Sequence, residues 1–542
     1  MQDVEVRFSV GRSSFWEDLS DTKNLVSISV WDSGWDDFGR KTECDVHIMG
    51  FDGKDFVVQA KVAFLGAEKS SNEHLISILK GRGYVESEVV GEYFVLIQSL
   101  EGYRKVVSEL GKSDAARVFR KINDMAFARA SGRKPRWFSR ALASPAFYES
   151  LVRTSEAFFA YSNSDFLRDG LDGERLDSVS SELRLKFQLG EYSRPHEIEF
   201  SFDKSSFLPS SINILIGKNG VGKSRALSKI VSAARRGDLS SFSDGNGNRP
   251  MISRLLALAT PGETASTFPA NVGSKSNIQY KKLSLRSRDP SSGMPQLLLQ
   301  LARSEAFVRG ASRWDIFISA ISSVVDCDSI AFKLKQVGGA RSYRFSELNC
   351  ASLSDFVSGN EVARLELLGR LDSLASPFRV TKRGLHPLSS GHLAFFRFAL
   401  HACLFIENGT LVLMDEPETH LHPNLISDFV SLLNNLLDKT GSIAIISTHS
   451  AYFVREVPRM CVSVMRREES PAGVFVRSET PRLGTFGSNV GSISHFIFED
   501  EQGMLLSRLI GQGISLSQLE AVKDEISIEA YIKIRDEIGV RR

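Results

Sequence analysis

The sequence has no apolar run approaching the ~18 residues that a membrane-spanning helix needs. Its 542 residues hold only five cysteines, Cys44, Cys327, Cys350, Cys403 and Cys461, scattered and without a C-x-x-C pair. That spacing argues against a structural zinc site and fits a reducing compartment. An excess of one charge is missing too. Lys and Arg total 67 against 65 Asp and Glu, a net charge of +2, so no global basic field announces a nucleic-acid partner. The first residues, MQDVEVRFSV, carry neither the basic nor the apolar segment of a signal peptide. No heptad pattern persists over three repeats, which excludes a long coiled-coil arm. The expectation is a cytoplasmic protein of two or three domains with no membrane association.

What is present centres on INILIGKNGVGKSRAL, residues 212–227. The apolar residues Ile212, Ile214, Leu215 and Ile216 read as a buried strand that enters a glycine-rich loop and leaves as a helix. Gly217, Lys218, Asn219, Gly220, Val221, Gly222, Lys223 and Ser224 match G-x-x-x-x-G-K-[ST] at every fixed position. The glycines let successive N–H groups curl around a polyphosphate. Lys223 reaches the terminal phosphates, and Ser224 offers its hydroxyl to Mg²⁺. The helix N-terminus adds its positive dipole end.

The rest of the chain divides around this loop. Residues 1–100 read as a β-rich domain of short alternating runs, interrupted by a helix near Asn72–Lys80. Its acids Asp36, Asp37, Glu43 and Asp45 read as solvated loop acids rather than metal ligands. Residues 101–190 read as a helical region and linker, with the polar stretch 162–182 as the linker. A basic run there sets Arg129, Arg133, Lys134, Arg136 and Arg140 beside Trp137 and Phe138. Such interleaving suits nucleic acid, but the bland alternative, a basic loop with the two rings in the core, is favoured. Residues 191–480 form the nucleotide domain, with 225–387 as a helical insertion that also carries the basic cluster Lys281, Lys282, Arg286 and Arg288. Residues 481–542 read as a C-terminal helical tail.

Three further motifs follow. LHPLSSGHLAFFRFAL places Ser389, Ser390 and Gly391 at the start of a helix, where the serines can cap it and its N-terminus can face an anion. TLVLMDEPETHLHP is an apolar strand ending in Asp415 and Glu416. The first carboxylate can hold the Mg²⁺ water shell, and the second can polarise a water for in-line attack on a γ-phosphate. SIAIISTHSAYFVREV is a second apolar strand, and its His449 can bind a γ-phosphate oxygen and position the water.

In this order the four motifs resemble those of the ABC-class P-loop ATPases. The resemblance implies an α/β fold, an ABC-type P-loop nucleotide-binding domain behind a β-rich and then helical N-terminal region. It implies ATP and Mg²⁺ as cofactors, and a homodimer or higher oligomer in which Ser389, Ser390 and Gly391 contact the ATP held by another copy. His392 stands where the family usually has Gln. The family's metal-linked Gln has only Gln279 as a weak candidate. DEPETHLHP, with His420, His422 and Pro423, looks like the RecF/OLD-like and SMC-related branch. Other stretches resemble ATPases of Septu-type and retron-associated anti-phage systems. No second apolar strand ending in D-x-D follows His449, so a built-in nuclease is not expected.

The reading is an ATP-hydrolysing sensor or regulatory subunit of a bacterial anti-phage system that controls a separate effector, a nuclease or toxin. DNA or RNA is left open as a partner. The alternatives are a RecF-like DNA-maintenance ATPase and a non-hydrolysing scaffold assembled by ATP.

Overall fold

In a computed structural model of the chain, the described residues are all except 1–3, 12–23, 33–39, 52–53, 68–69, 132–133, 165–166, 168–178, 191, 193, 204–206, 260–265, 271–275, 285–292, 305–306, 309–310, 336–348, 358–366, 373–375, 382–383, 472, 499–514, 522, 524–530, 533–534 and 536–542. Asp36, Asp37, Arg133, Arg286 and Arg288 therefore lie outside them, as does most of the expected linker.

The N-terminal residues form a six-stranded sheet of β1 (Glu5–Val10), β2 (Leu25–Val30), β3 (Glu43–Phe51), β4 (Lys54–Phe64), β5 (Val85–Glu86) and β6 (Tyr93–Ile97), in the order β5-β1-β2-β3-β4-β6. β1 and β2 pair in parallel and the other pairs are antiparallel. A helix, α1 (Ser71–Leu79), starts where the Ser70 side chain accepts the Glu73 N–H. Then come α2 (Leu100–Lys121), α3 (Met125–Ala130), α4 (Arg136–Ala143) and α5 (Ser155–Ser162). The basic run falls on α3, α4 and their connection. Phe138 is 1% exposed in the core and Trp137 packs partly buried against it. Arg140 pairs with Glu92, and Arg129 Nε donates to the Tyr161 carbonyl at 2.7 Å. The rings are thus committed to packing rather than to stacking on bases.

The nucleotide domain begins with β7 (Glu182–Phe187) and β8 (His196–Ser201), followed by β9 (Ile212–Gly217), α6 (Lys223–Arg236), β10 (Phe242–Asp244), β11 (Arg254–Ala259) and β12 (Gln279–Ser284). Beyond lie α7 (Met294–Ala302), β13 (Phe307–Val308), β14 (Ala311–Ser312), α8 (Arg313–Val324), β15 (Ile330–Lys333), β16 (Cys350–Ser352), β17 (Phe378–Thr381) and β18 (Gly384–Pro387). The chain continues through α9 (Ser390–Phe405), β19 (Thr410–Asp415), α10 (Pro423–Thr440), β20 (Ile443–Thr448), α11 (Ala451–Val454), β21 (Val462–Ser470), β22 (Gly473–Glu479) and α12 (Val490–Phe498).

The insertion over 225–387 is not helices alone. β11 and β12 join the central sheet, whose order is β12-β11-β19-β20-β9-β21-β22, and β15 to β18 make a separate antiparallel sheet. Strands of three or four residues leave too short a pattern to separate from helix by periodicity. The central sheet is parallel except for β22. Its inner strands β9, β19 and β20 are buried throughout, as a parallel sheet covered on both faces requires.

Alternate side chains divide between the two faces. Leu215, Leu411, Leu413, Ile443 and Ile445 share a core with α6 and with the N-terminal sheet. Ile214, Ile216, Val412, Met414 and Ile446 share one with α7 to α10. The N-terminal residues are thus packed onto one face of the nucleotide domain.

Arg249 ties that face together. Its Nη1 donates to the Val152 carbonyl at 3.1 Å, and its Nη2 donates to the Arg153 carbonyl and to Ser155 Oγ, both at 2.9 Å. Burial lowers its guanidinium to about 10. Arg249→Ala strands two backbone acceptors in the interior. It is expected to cost on the order of 2 kcal/mol or more, read as a lower urea midpoint. An unchanged midpoint would remove the clamp from the account of this interface.

Candidate functional site

Parallel strands deliver their carboxyl ends to one edge of a sheet, where open α/β sheets bind ligands. Here Ile216 pairs with Thr448 and Asp415 with Ser447. The phosphate loop, the Asp415–Glu416 pair and His449 therefore meet although more than two hundred residues separate the first from the last.

The loop joins β9 to α6. Gly222 has φ +99°, and a Cβ there would lie 3.2 Å from Leu189 and 3.5 Å from His196 Nε2. The positive φ favours glycine, and the leucine methyl leaves a side chain little space. Tyr192 Oη donates to the Gly220 carbonyl at 3.0 Å, so the segment between β7 and β8 buttresses the loop from behind. A cleft of about 570 Å³ opens over it, lined by Asn219, Gly220, Gly222, Lys223, Ser224, Glu416 and His449 among others.

Lys223 Nζ donates to the Gly217 carbonyl at 2.9 Å and lies 2.8 Å from His449 Nε2. Burial lowers this ammonium to about 8, against the upward pull of Glu416, Asp415 and Glu418. His449 Nε2 is also 3.0 Å from Glu416 Oε1. Burial and then Lys223 hold the imidazole below its ordinary value, which favours the neutral ring. A neutral ring can accept from Lys223 at Nε2 or, as the other tautomer, donate from it to Glu416.

Asp415 is fully buried. Ser224 Oγ donates to its Oδ1 at 3.2 Å, Ser447 Oγ donates to the same oxygen, and Thr267 Oγ1 donates to Oδ2 at 2.6 Å. Glu416 has φ +48°, sparsely populated for a side-chain-bearing residue and characteristic of functional positions. Its N–H donates to the Ser447 carbonyl at 2.9 Å, which holds this turn against β20.

Thr267, Glu418 and Ser447 were not among the residues expected from sequence. Glu418 is half-buried and desolvation raises its carboxyl; its Oε1 accepts the Thr448 hydroxyl at 2.6 Å and the His449 N–H at 2.7 Å. It thereby fixes the backbone that carries the histidine. Glu418 sits inside DEPETH and Ser447 inside IIST, so both were adjacent to recognised motifs. Thr267 lies in the stretch TFP, which belongs to the looser resemblance to anti-phage ATPases and by itself assigns no role.

Gln279 is misplaced as a metal partner. It begins β12 opposite Arg254 and Thr410, the amino ends of their strands. Asp415 is the carboxyl end of β19, five residues or ~17 Å away along the sheet. The loop after β11 brings Thr267 to the carboxylate instead.

Ser389, Ser390 and Gly391 do not line the cleft. Ser389 caps α9, accepting the His392 N–H at 3.3 Å, with its Oγ 2.6 Å from His392 Nδ1. Ser389 and Ser390 are exposed and Gly391 is buried.

The donor set fits a nucleotide and a magnesium ion. Ser224 and Asp415 supply hard oxygens at the edge of the cleft over the phosphate loop. Mg²⁺ uses one or two protein oxygens, with water and phosphate for the rest. Among the described residues no group of three or more His, Cys, Asp or Glu is placed to hold a metal ion. Nor is any described helix long and apolar enough to cross a membrane.

Residues 380–455 match the family model described as "AAA domain, putative AbiEii toxin, Type IV TA system". The loop, the buried aspartate, the sheet and this match over 380–455 support an α/β P-loop domain similar to ATPases of the AAA/ABC type. Among individual proteins, the chain is similar to protein ea59 of Escherichia phage lambda, 25% identical over 346 residues. It spans 62% of the length of that relative, and the match takes in 62% of this chain. Solved structures that it resembles include UvrA2 from Deinococcus radiodurans, with a TM-score of 0.30 and 13% identity over 59% of this chain and 40% of that one. Another is the SMC head domain from Thermotoga maritima, with a TM-score of 0.25 and 12% identity over 56% of this chain and 99% of that one.

Thr267→Val keeps the shape and removes the donor to Asp415. It is expected to raise the magnesium concentration needed for half-maximal nucleotide binding about tenfold, read by magnesium titration of a fluorescent ATP analogue. An unaltered requirement would show that Thr267 does not orient the carboxylate.

Proposed function

We propose that this chain binds ATP with Mg²⁺ over the phosphate loop and hydrolyses it. The carrying observation is the convergence of Lys223, Ser224, Asp415, Glu416 and His449 on one cleft. The loop N–H groups and Lys223 bind the phosphates. Ser224 and Asp415 hold Mg²⁺, which neutralises charge developing on the phosphoryl oxygens. Glu416 accepts the proton of the attacking water. His449, fixed by the contact of its N–H with Glu418, orients that water and the γ-phosphate oxygen.

ATP would close a homodimer or a higher assembly. The exposed Ser389 and Ser390 at the start of α9 support this, since they lie outside their own chain's cleft and are available to another's. Gly391, buried in the first turn, would contribute through its backbone. In this reading the chain is the sensor or regulatory subunit of a cytoplasmic anti-phage system, and nucleotide state licenses a separate nuclease or toxin. The family description, with its reference to a toxin and a toxin–antitoxin system, is in keeping with that setting.

Glu416→Gln removes the proton acceptor and keeps the Asp415 network. Turnover is expected to fall about 10²- to 10⁴-fold while ATP binding persists, and ATP should trap a dimer visible by sedimentation. Wild-type hydrolysis by this variant would overturn the assignment of Glu416.

A further inference from the structure

A second, larger cavity of about 980 Å³ lies at the opposite edge of the central sheet, between the amino ends of β11 and β12 and the N-terminal sheet. Its lining is strongly charged. Lys61, Arg153, Arg235, Arg254 and Lys281 face Glu43, Glu156 and Glu407, a surplus of two positive charges. Two of the acids are already engaged: Arg254 Nη2 lies 3.1 Å from Glu156 Oε1 and 2.7 Å from Glu407 Oε2. Burial pushes the Glu156 carboxyl up to about 7, which weakens its negative charge further. Arg254 Nε is buried with no hydrogen-bond partner among the described residues.

Aromatic rings stand beside the cations. Lys281 Nζ lies 3.5 Å from the centre of the Phe405 ring, and the Arg235 guanidinium lies 5.3 Å from that of Tyr280. Trp31 adds a third ring, and Gln59 and Gln279 add side-chain amides. Cations hold phosphate, planar guanidinium and aromatic groups stack on a base, and amides read its edges. A cavity of this size takes a small molecule rather than a polymer.

We propose that this cavity is a second, regulatory site for a small nucleotide of about two negative charges. It is separate from the phosphate loop. Its position supplies the coupling. α6 has Lys223 at its start and Arg235 near its end, and α9 runs from Ser390 to Phe405. β11 and β19 have Arg254 and Thr410 at this edge, while Asp415 and the loop bearing Thr267 are at the other. Elements that build the ATP site thus have their far ends in or beside the cavity wall.

The test uses the full chain with its phosphate loop saturated by a non-hydrolysable ATP analogue and Mg²⁺. AMP, GMP, cyclic di-AMP and cyclic di-GMP are titrated by calorimetry, with ribose 5-phosphate and inorganic phosphate as ring-free probes. At least one nucleotide is expected to bind one-to-one with Kd at or below ~1 mM. Lys281→Glu and Arg235→Glu should each weaken it at least about tenfold. In the unmutated chain, bound nucleotide should protect residues 276–281 and 404–407 from amide hydrogen exchange, a readout that stands if the variants fail to fold. Four results would overturn the proposal: no nucleotide binding, inorganic phosphate binding as tightly as the nucleotides, indifference to both charge reversals in folded variants, or displacement by excess ATP analogue.

Discussion

The carboxylate of Asp415 holds this nucleotide site together. A fully buried charge is costly unless hydrogen bonds replace its hydration. Three hydroxyls do so, from Ser224 on α6, Ser447 on β20 and Thr267 in the loop after β11. Each donor comes from a different element, so satisfying one carboxylate fixes four segments relative to one another. The hydroxyls order the carboxylate, and the metal of the proposed reaction would meet a preformed oxygen set.

The second constraint is the arrangement of Lys223, His449 and Glu416. The lysine must be charged to hold phosphate, yet it sits where burial opposes its charge. The carboxylates of Glu416 and Asp415 favour the ammonium, and carbonyl oxygens of the loop accept from it. His449 lies within reach of both Lys223 and Glu416 through a single nitrogen. In the proposed reaction a phosphate in the cleft would compete for the ammonium and leave His449 Nε2 to Glu416 or to water.

Much of this was legible in the chain because the chemistry is local. The phosphate loop needs its glycines at fixed spacing, and Asp415 ends, and His449 follows, a short apolar run of strand length. Thr267 was illegible for the converse reason: 148 residues separate it from Asp415, and it sits in a loop without periodicity. Gln279 attracted attention by residue type, but its place at the start rather than the end of a parallel strand puts it at the wrong edge. The short strands β15 to β18 were hidden by their length. The packing of the N-terminal sheet on α6 was hidden because alternation marks a buried face without naming what covers it.

That packing changes what the N-terminal residues can do. A domain joined only by a linker would move independently of the nucleotide site. Here Phe159 on α5 touches Gly409, where a side chain would collide with the ring, and Gly409 leads directly into β19 and Asp415. Arg254 joins Glu156 on α5 to Glu407 on the same turn. A shift of α5 cannot be absorbed at so close a contact without moving the turn or the strand behind it, because packed interiors have little free volume. The two edges of the central sheet are thus mechanically continuous. The exposed start of α9 lies fifteen residues from the Phe405 end, and α9 packs on the sheet face that carries Val412 and Met414. A helix of ~24 Å joins the Phe405 end to the exposed start of α9, the surface that the proposed assembly would use.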